Sequence, residues 1–177
     1  MDKEIAILKF FFEDPIGEYH IREVARLAKI THMTARSYLN RFVKEGLIVK
    51  KETKVYSSYS ANFNNSKFRN IKLYYNLEML RESKIISDLE IFYDYPTIIL
   101  FGSYSNATNA KNSDIDLCVI TNIQKEFNID KYSNFLKRQV SLHKFTEKEI
   151  ENMKTKNSEL LNNICNGIVV SGKLEVI

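Results

Sequence analysis

The sequence predicts an α/β (α+β) protein in two parts joined by a long helix. Three observations carry this. Apolar residues recur at helical spacing through most of the first half, short β-rich runs alternate with helical stretches after Pro96, and Ser66 to Phe92 contains neither Gly nor Pro. The resulting boundaries are an N-terminal domain at 1–63, a linking helix at 64–94 and a C-terminal domain at 95–177.

Between Asp2 and Asp14, Ile5, Leu8, Phe11 and Phe12 share one helical face, and Pro15 and Gly17 end that helix. An extended piece at Glu18 to His20 leads into a second short helix built on Ile21, Val24, Ala25, Leu27 and Ala28. Ile30-Thr31 turns the chain. Thr31 is placed as the N-cap of a third helix running to about Glu45, and Gly46 stands at its C′ stop. Leu47-Ile48-Val49 and Val55 to Tyr59 then read as strands, with Lys50 to Lys54 as the hairpin tip between them.

The linking segment repeats Phe68, Ile71, Tyr74, Tyr75, Leu77, Leu80, Ile85, Leu89 and Phe92 at three- and four-residue intervals, which predicts one long helix with a break near Glu82-Ser83. Unbroken, it would span about 40 Å. It carries more large apolar residues than one small domain is expected to cover, which predicts a homodimer.

Pro96 opens the last part. Thr97 to Phe101, Ile115 to Thr121 and Gln139 to Phe145 read as strands, and Ile168-Val169-Val170 follows Gly167 as a final apolar run. Helices are expected after Gly102, around Ile129 to Lys137, and twice between Thr146 and Asn166.

Composition narrows the function classes. A 44% hydrophobic share is that of a folded globular protein, not a disordered one. The charged start Met1-Asp2-Lys3-Glu4 and the lack of a long apolar run argue against a signal peptide and a membrane span, so a cytoplasmic protein is expected. Cys118 and Cys165 both lie in apolar runs and read as buried hydrophobes of a reducing compartment. The net charge is only +4, but from His20 to Lys54 nine basic residues face three acidic ones. A regional excess of this kind is the footprint expected for a nucleic-acid partner.

That excess falls on the third helix and the hairpin. Ala35, Leu39 and Phe42 face the core, while Met33, Ser37, Asn40 and Lys44 lie opposite, bordered by Arg36 and Arg41 and with Thr34 in the first turn. Short polar groups near a helix N-terminus, flanked by Arg and Lys, suit base edges and phosphates of double-stranded DNA. Lys50, Lys51 and Lys54 would meet the backbone or a minor groove. The stretch from Ile21 through Leu47, ending in Glu45-Gly46-Leu47-Ile48, resembles the winged helix-turn-helix domains of bacterial and archaeal regulators. The resemblance covers roughly the first 60 residues and implies three helices, a β-hairpin and DNA binding.

A second constellation is Leu100-Phe101-Gly102-Ser103-Tyr104 followed by Ser113-Asp114-Ile115-Asp116-Leu117, with ten residues between Ser103 and Asp114. Gly102, at a strand end, lets backbone amides and the Ser103 hydroxyl face a phosphate at a helix N-terminus. Asp114 and Asp116 are two apart at a strand start, which puts both carboxylates on one face, where they can share Mg²⁺ or Mn²⁺ bound to triphosphate oxygens. Tyr104 and Lys111 flank the phosphate turn. Together these residues closely resemble the signature of the minimal nucleotidyltransferases of the DNA polymerase beta superfamily, over roughly Pro96 to Phe145.

The resemblance implies nucleotidyl transfer from a metal-bound NTP, with Gly102, Ser103 and Tyr104 at the nucleotide and Asp114 and Asp116 as catalytic metal ligands. It also implies a third carboxylate on a later strand. In Gln139-Val140-Ser141-Leu142-His143 the matching position holds Ser141, a weaker ligand, while His143 shares its face and could act as a general base. Two readings follow. One is a DNA-binding regulator that retains Mg-NTP with little turnover. The other is an active transferase that modifies a protein or nucleic acid, as in relatives that work beside a toxin partner.

Overall fold

The computed structural model describes residues 3–52 and 56–174. The chain forms two compact units, residues 1–75 and residues 76–177, so the stretch expected to link two domains is shared between them.

In the first unit, α1 (Lys3–Glu13) buries Ile7, Leu8, Phe11 and Phe12. It is followed by α2 (Ile21–Leu27) and α3 (His32–Lys44), then by β1 (Ile48–Glu52) and β2 (Ser57–Ala61). The Thr31 hydroxyl caps α3 by accepting the Thr34 amide at 3.2 Å, and Ala35, Leu39 and Phe42 are its buried residues, as expected. Its far end closes with Gly46 at φ +71°, the Leu47 amide reaching the Phe42 carbonyl at 2.9 Å and the Gly46 amide the Val43 carbonyl at 3.0 Å. β1 and β2 are antiparallel, and Tyr59 is bridged on its other side by Tyr19, amide to carbonyl in both directions.

The hairpin differs from expectation in one respect. Lys50 and Lys51 lie inside β1, opposite Tyr59 and Ser58, and not at the tip. The ladder runs on to Glu52 opposite Ser57, with residues 49–52 all exposed, and each lysine gains a carboxylate neighbour: Lys50 pairs with Glu52, and Lys51 with Glu18 at 3.4 Å. Lys54 and Val55 lie outside the described residues.

Helix α4 (Ser66–Ser83) gives Phe68 and Tyr75 to the first unit, where both rings meet Phe12 and the Tyr75 hydroxyl donates to Glu13 at 2.6 Å. Lys84 breaks the helix at φ +64°, one residue beyond the expected point, with the Ser83 hydroxyl accepting the Ile85 amide at 3.3 Å. Helix α5 (Ile85–Phe92) then begins. Apolar residues of this segment are largely covered by the chain itself. Phe68, Leu80, Ile85 and Leu89 are at most 1% exposed, while Tyr74 and Ile91 stay open, so the excess on which a homodimer was expected shrinks to those two.

The second unit continues with β3 (Thr97–Phe101), β4 (Ile115–Ile120), α6 (Asp130–Leu136), β5 (Val140–Phe145), α7 (Glu147–Lys156), α8 (Ser158–Cys165) and β6 (Ile168–Ser171). The strands form one mixed sheet in the order β5-β4-β3-β6, parallel only between β4 and β5. One face, with Ile98, Leu100, Leu117 and Val119, buries the end of α4, α5 and α6. The other, with Ile99, Phe101 and Cys118, packs on Ile164 of α8. Two expectations fail here. Residues 102–107 make successive turns, not a helix, because the chain doubles back: the Thr108 and Asn109 amides both return to the Ser103 carbonyl, at 2.9 and 3.2 Å, and Ala107 sits at φ +54°. Cys165 is exposed, since Leu161 and Ile164 take the inward face of α8, and only Cys118 is buried.

Candidate functional site

Sheet register assembles the site. Antiparallel pairing sets Phe101 opposite Asp116, and parallel pairing sets Asp116 opposite Ser141 and Cys118 opposite His143. Strand alternation then places Asp116, Ser141 and His143 on the face that also carries Cys118. Immediately after β3, Gly102 turns at φ +71°, and a Cβ built there would fall 2.7 Å from Asp116 Oδ2. The missing side chain is what lets the turn lie against the carboxylate.

Asp116 is thus held between two strands. Its Oδ1 lies 3.8 Å from His143 Nε2, and the His143 ring meets Phe101 edge-on at 5.2 Å. Burial pushes the Asp116 carboxyl above its ordinary pKa; His143 pulls it down, and the neighbouring Asp114 pushes it further up. A partly buried carboxylate with a second one two residues away favours a cation nearby. Asp114 is exposed, one residue before β4, whose first amide, on Ile115, donates to the Gln139 carbonyl at 2.9 Å.

Ser103 is half-buried in the turn beside Gly102, and its carbonyl anchors the loop that returns toward Asp114. That loop is clamped from below. The Asn76 amide group, on α4, donates to the Tyr104 carbonyl at 2.9 Å and to the Asn109 side chain at 3.0 Å, and Asn76 and Asn109 are 2% and 3% exposed. Tyr104, expected at the nucleotide, instead lies in the core, with its hydroxyl accepting from Arg138 Nε at 3.2 Å. An aromatic ring following a strand found apolar cover in a small core. Sequence reasoning missed Asn76, Asn109 and Arg138. An asparagine set between Tyr75 and Leu77 in a helical apolar pattern was the signal for the first.

Among the described residues no group of three or more His, Cys, Asp or Glu is assembled for a metal. The donor set nonetheless suits Mg²⁺. Such ions are commonly held by one or two carboxylates, the rest of the oxygen shell coming from water and substrate phosphates. Asp114 and Asp116 would be those carboxylates, Asp116 lying against the Gly102 turn.

In the first unit, Met33, Thr34, Arg36, Ser37, Asn40, Arg41 and Lys44 are all exposed on α3. They do not offer equal charge. Arg41 is engaged by Glu4 at 2.5 Å and by Glu45 at 3.9 Å, and its guanidinium lies over Tyr38. Arg36 and Lys44 make no ion pair among the described residues. No described helix is long and apolar enough to cross a membrane.

A family model for polymerase beta nucleotidyltransferases matches residues 83–175, more than half of the 177. No curated protein matches the chain.

Proposed function

The chain belongs to the polymerase beta nucleotidyltransferase family, and from that premise we propose that its second unit binds an NTP with a divalent cation but transfers nucleotide slowly, in a DNA-binding regulator whose first unit is a winged helix. One observation carries the slow-transfer part: the strand position paired with Asp116, where the family resemblance implies a third carboxylate, is Ser141. A hydroxyl is a poor substitute for a charged oxygen ligand.

In this reading Asp114 and Asp116 hold the cation, and the Gly102-Ser103 turn presents amides and a hydroxyl to the triphosphate. The cation, when bound, neutralises phosphate charge. Tyr104 and Arg138 support the turn from the core side, and the Asn76 clamp fixes the loop that delivers Asp114. A second reading, an active transferase acting on a protein or nucleic-acid acceptor in the manner of an antitoxin, draws on the 3.8 Å approach of His143 to Asp116.

Incubation with each labelled NTP and Mg²⁺, with and without DNA and cell extract, tests both. Retention of nucleotide without labelled product is expected, and Asp114→Asn or Asp116→Asn should abolish that retention. Ser141→Asp should raise the transfer rate by supplying the charged oxygen at the register position next to Asp116. Rapid turnover by the unaltered protein would refute the regulator reading in favour of the transferase.

For the first unit, duplex binding by the full chain should weaken steeply with salt as counterions are released. Arg36→Ala and Lys44→Ala together should flatten that salt slope by about two phosphate contacts. Lys50→Ala with Lys51→Ala should have the smaller effect, since each lysine already has a carboxylate neighbour. Asn40→Ala should change sequence preference instead of overall affinity. Salt-independent binding in a fluorescence-anisotropy titration would overturn the assignment.

A further inference from the structure

Independently of the ion and nucleotide reading, we infer that the outer surface of α5 and α6 docks a second copy of this chain, each copy seating its Ile91 in an aromatic cavity of the other. The cavity measures about 720 Å³ and opens between α5, α6 and the segment that precedes α6. Phe92, Phe127 and Tyr132 form its walls: Phe92 meets Phe127 edge-on at 5.1 Å, and Phe127 stacks on Tyr132 at 5.6 Å. Ile91 borders the cavity and is 75% exposed, and Phe135, one turn along α6 from Lys131, is 55% exposed.

Two observations name the occupant. The first is how the polar lining is spent. Asp88 Oδ2 accepts the Tyr132 hydroxyl at 2.5 Å and the Lys131 ammonium at 3.0 Å, and the Asn128 side chain accepts the Asp130 amide at 2.8 Å. These groups satisfy one another, so the cavity offers mainly apolar wall, which suits an aliphatic side chain better than a polar small molecule. The second is self-complementarity. A two-fold contact lays one patch on the same patch of the other copy, so it needs a projection and a recess side by side, and Ile91 and the cavity it borders are such a pair. The charges obey the same rule. Asp130 and Lys131 are neighbours of opposite sign that both line the cavity, and the Asp130 carboxylate makes no ion pair among the described residues. A two-fold carries each Asp130 toward Lys131 of the other copy. Because α5 and α6 cover the sheet face of Leu117 and Val119, this docking does not use the face that carries Asp116.

Sedimentation equilibrium of the full chain tests the inference, and a dimer mass is expected at about 50 µM. Ile91→Asp should weaken self-association by at least about a hundredfold, since a two-fold contact loses the anchor twice. An unchanged circular-dichroism spectrum in that variant separates docking from folding. Asp130→Lys and Lys131→Glu should each weaken the dimer about tenfold, whereas the two variants mixed should recover a one-to-one dimer, because each supplies the charge that the other has lost. Tyr74→Glu, which alters an exposed aromatic of the first unit, should leave the dimer intact. A dimer that survives Ile91→Asp, or that Tyr74→Glu dissociates, overturns the inference. So does an unaltered chain that is monomeric at this concentration, and uptake of an anilinonaphthalene sulfonate dye that Phe127→Ala abolishes would then assign the cavity to a small apolar ligand.

Discussion

Gly102→Ala should cut divalent-ion binding by on the order of tenfold to a hundredfold, the range seen when the support of a metal ligand is disturbed, while lowering stability by only about 1–2 kcal/mol, the strain of an L residue in the left-handed region. The two effects separate because of what the new methyl meets. It falls 2.7 Å from Asp116 Oδ2, the end of a short side chain that can rotate away, and no backbone atom is among its nearest contacts. Folding therefore survives, but Asp116 leaves the orientation that faces the turn and His143. Calorimetric titration with Mn²⁺ alongside thermal unfolding measures both. Equal ion affinity in the variant would show that Asp116 does not need the position Gly102 permits.

Gly167→Ala should destabilise the second unit strongly, on the order of 3 kcal/mol from overpacking, with a melting point lower by roughly 10 °C or more. A Cβ there would meet the Leu100 carbonyl at 2.6 Å, Ile99 Cγ2 at 2.7 Å and the Ile164 carbonyl at 2.9 Å. Two of these are backbone atoms, one on the central strand β3 and one at the end of α8, so relief requires moving the sheet against its helix. Ion binding per folded molecule should be unchanged. A melting point within about 2 °C of the unaltered protein would mean that the α8–β6 turn is more yielding than its contacts indicate.

Most of the fold was legible in the sequence where pattern and punctuation agree. Thr31 and Gly46 bound α3 as cap and stop, and the apolar runs at Thr97, Ile115 and Gln139 correspond to strands within a residue. That Ser141 matches the third-carboxylate position was implied by the family resemblance alone, and the parallel pairing of β4 and β5 sets it opposite Asp116. What could not be read depended on tertiary partners. The stretch after Gly102 was read as a helix opening at a phosphate, yet it is rich in Ser, Asn and Thr, a buried asparagine on α4 captures the Tyr104 carbonyl, and the chain reverses on Ser103. Tyr104 lay beside the phosphate turn in sequence, but strand direction sends its ring into the core. Lys50 and Lys51 read as tip residues because polar runs mark turns, whereas pairing with Tyr59 and Ser58 of β2 sets them in the ladder.

The unequal fates of the two cysteines supply an intrinsic kinetic reporter. Burial holds the Cys118 thiol up at about 12, while Cys165 is exposed at the end of α8. An alkylating reagent at neutral pH would consume Cys165 at once and reach Cys118 only during excursions that part the helix from the sheet. Cys118 stands two residues along β4 from Asp116 and opposite His143. The slow phase of alkylation would thus time the opening of the proposed ion-binding surface, and its retardation by added ion or nucleotide would report occupancy without any introduced label.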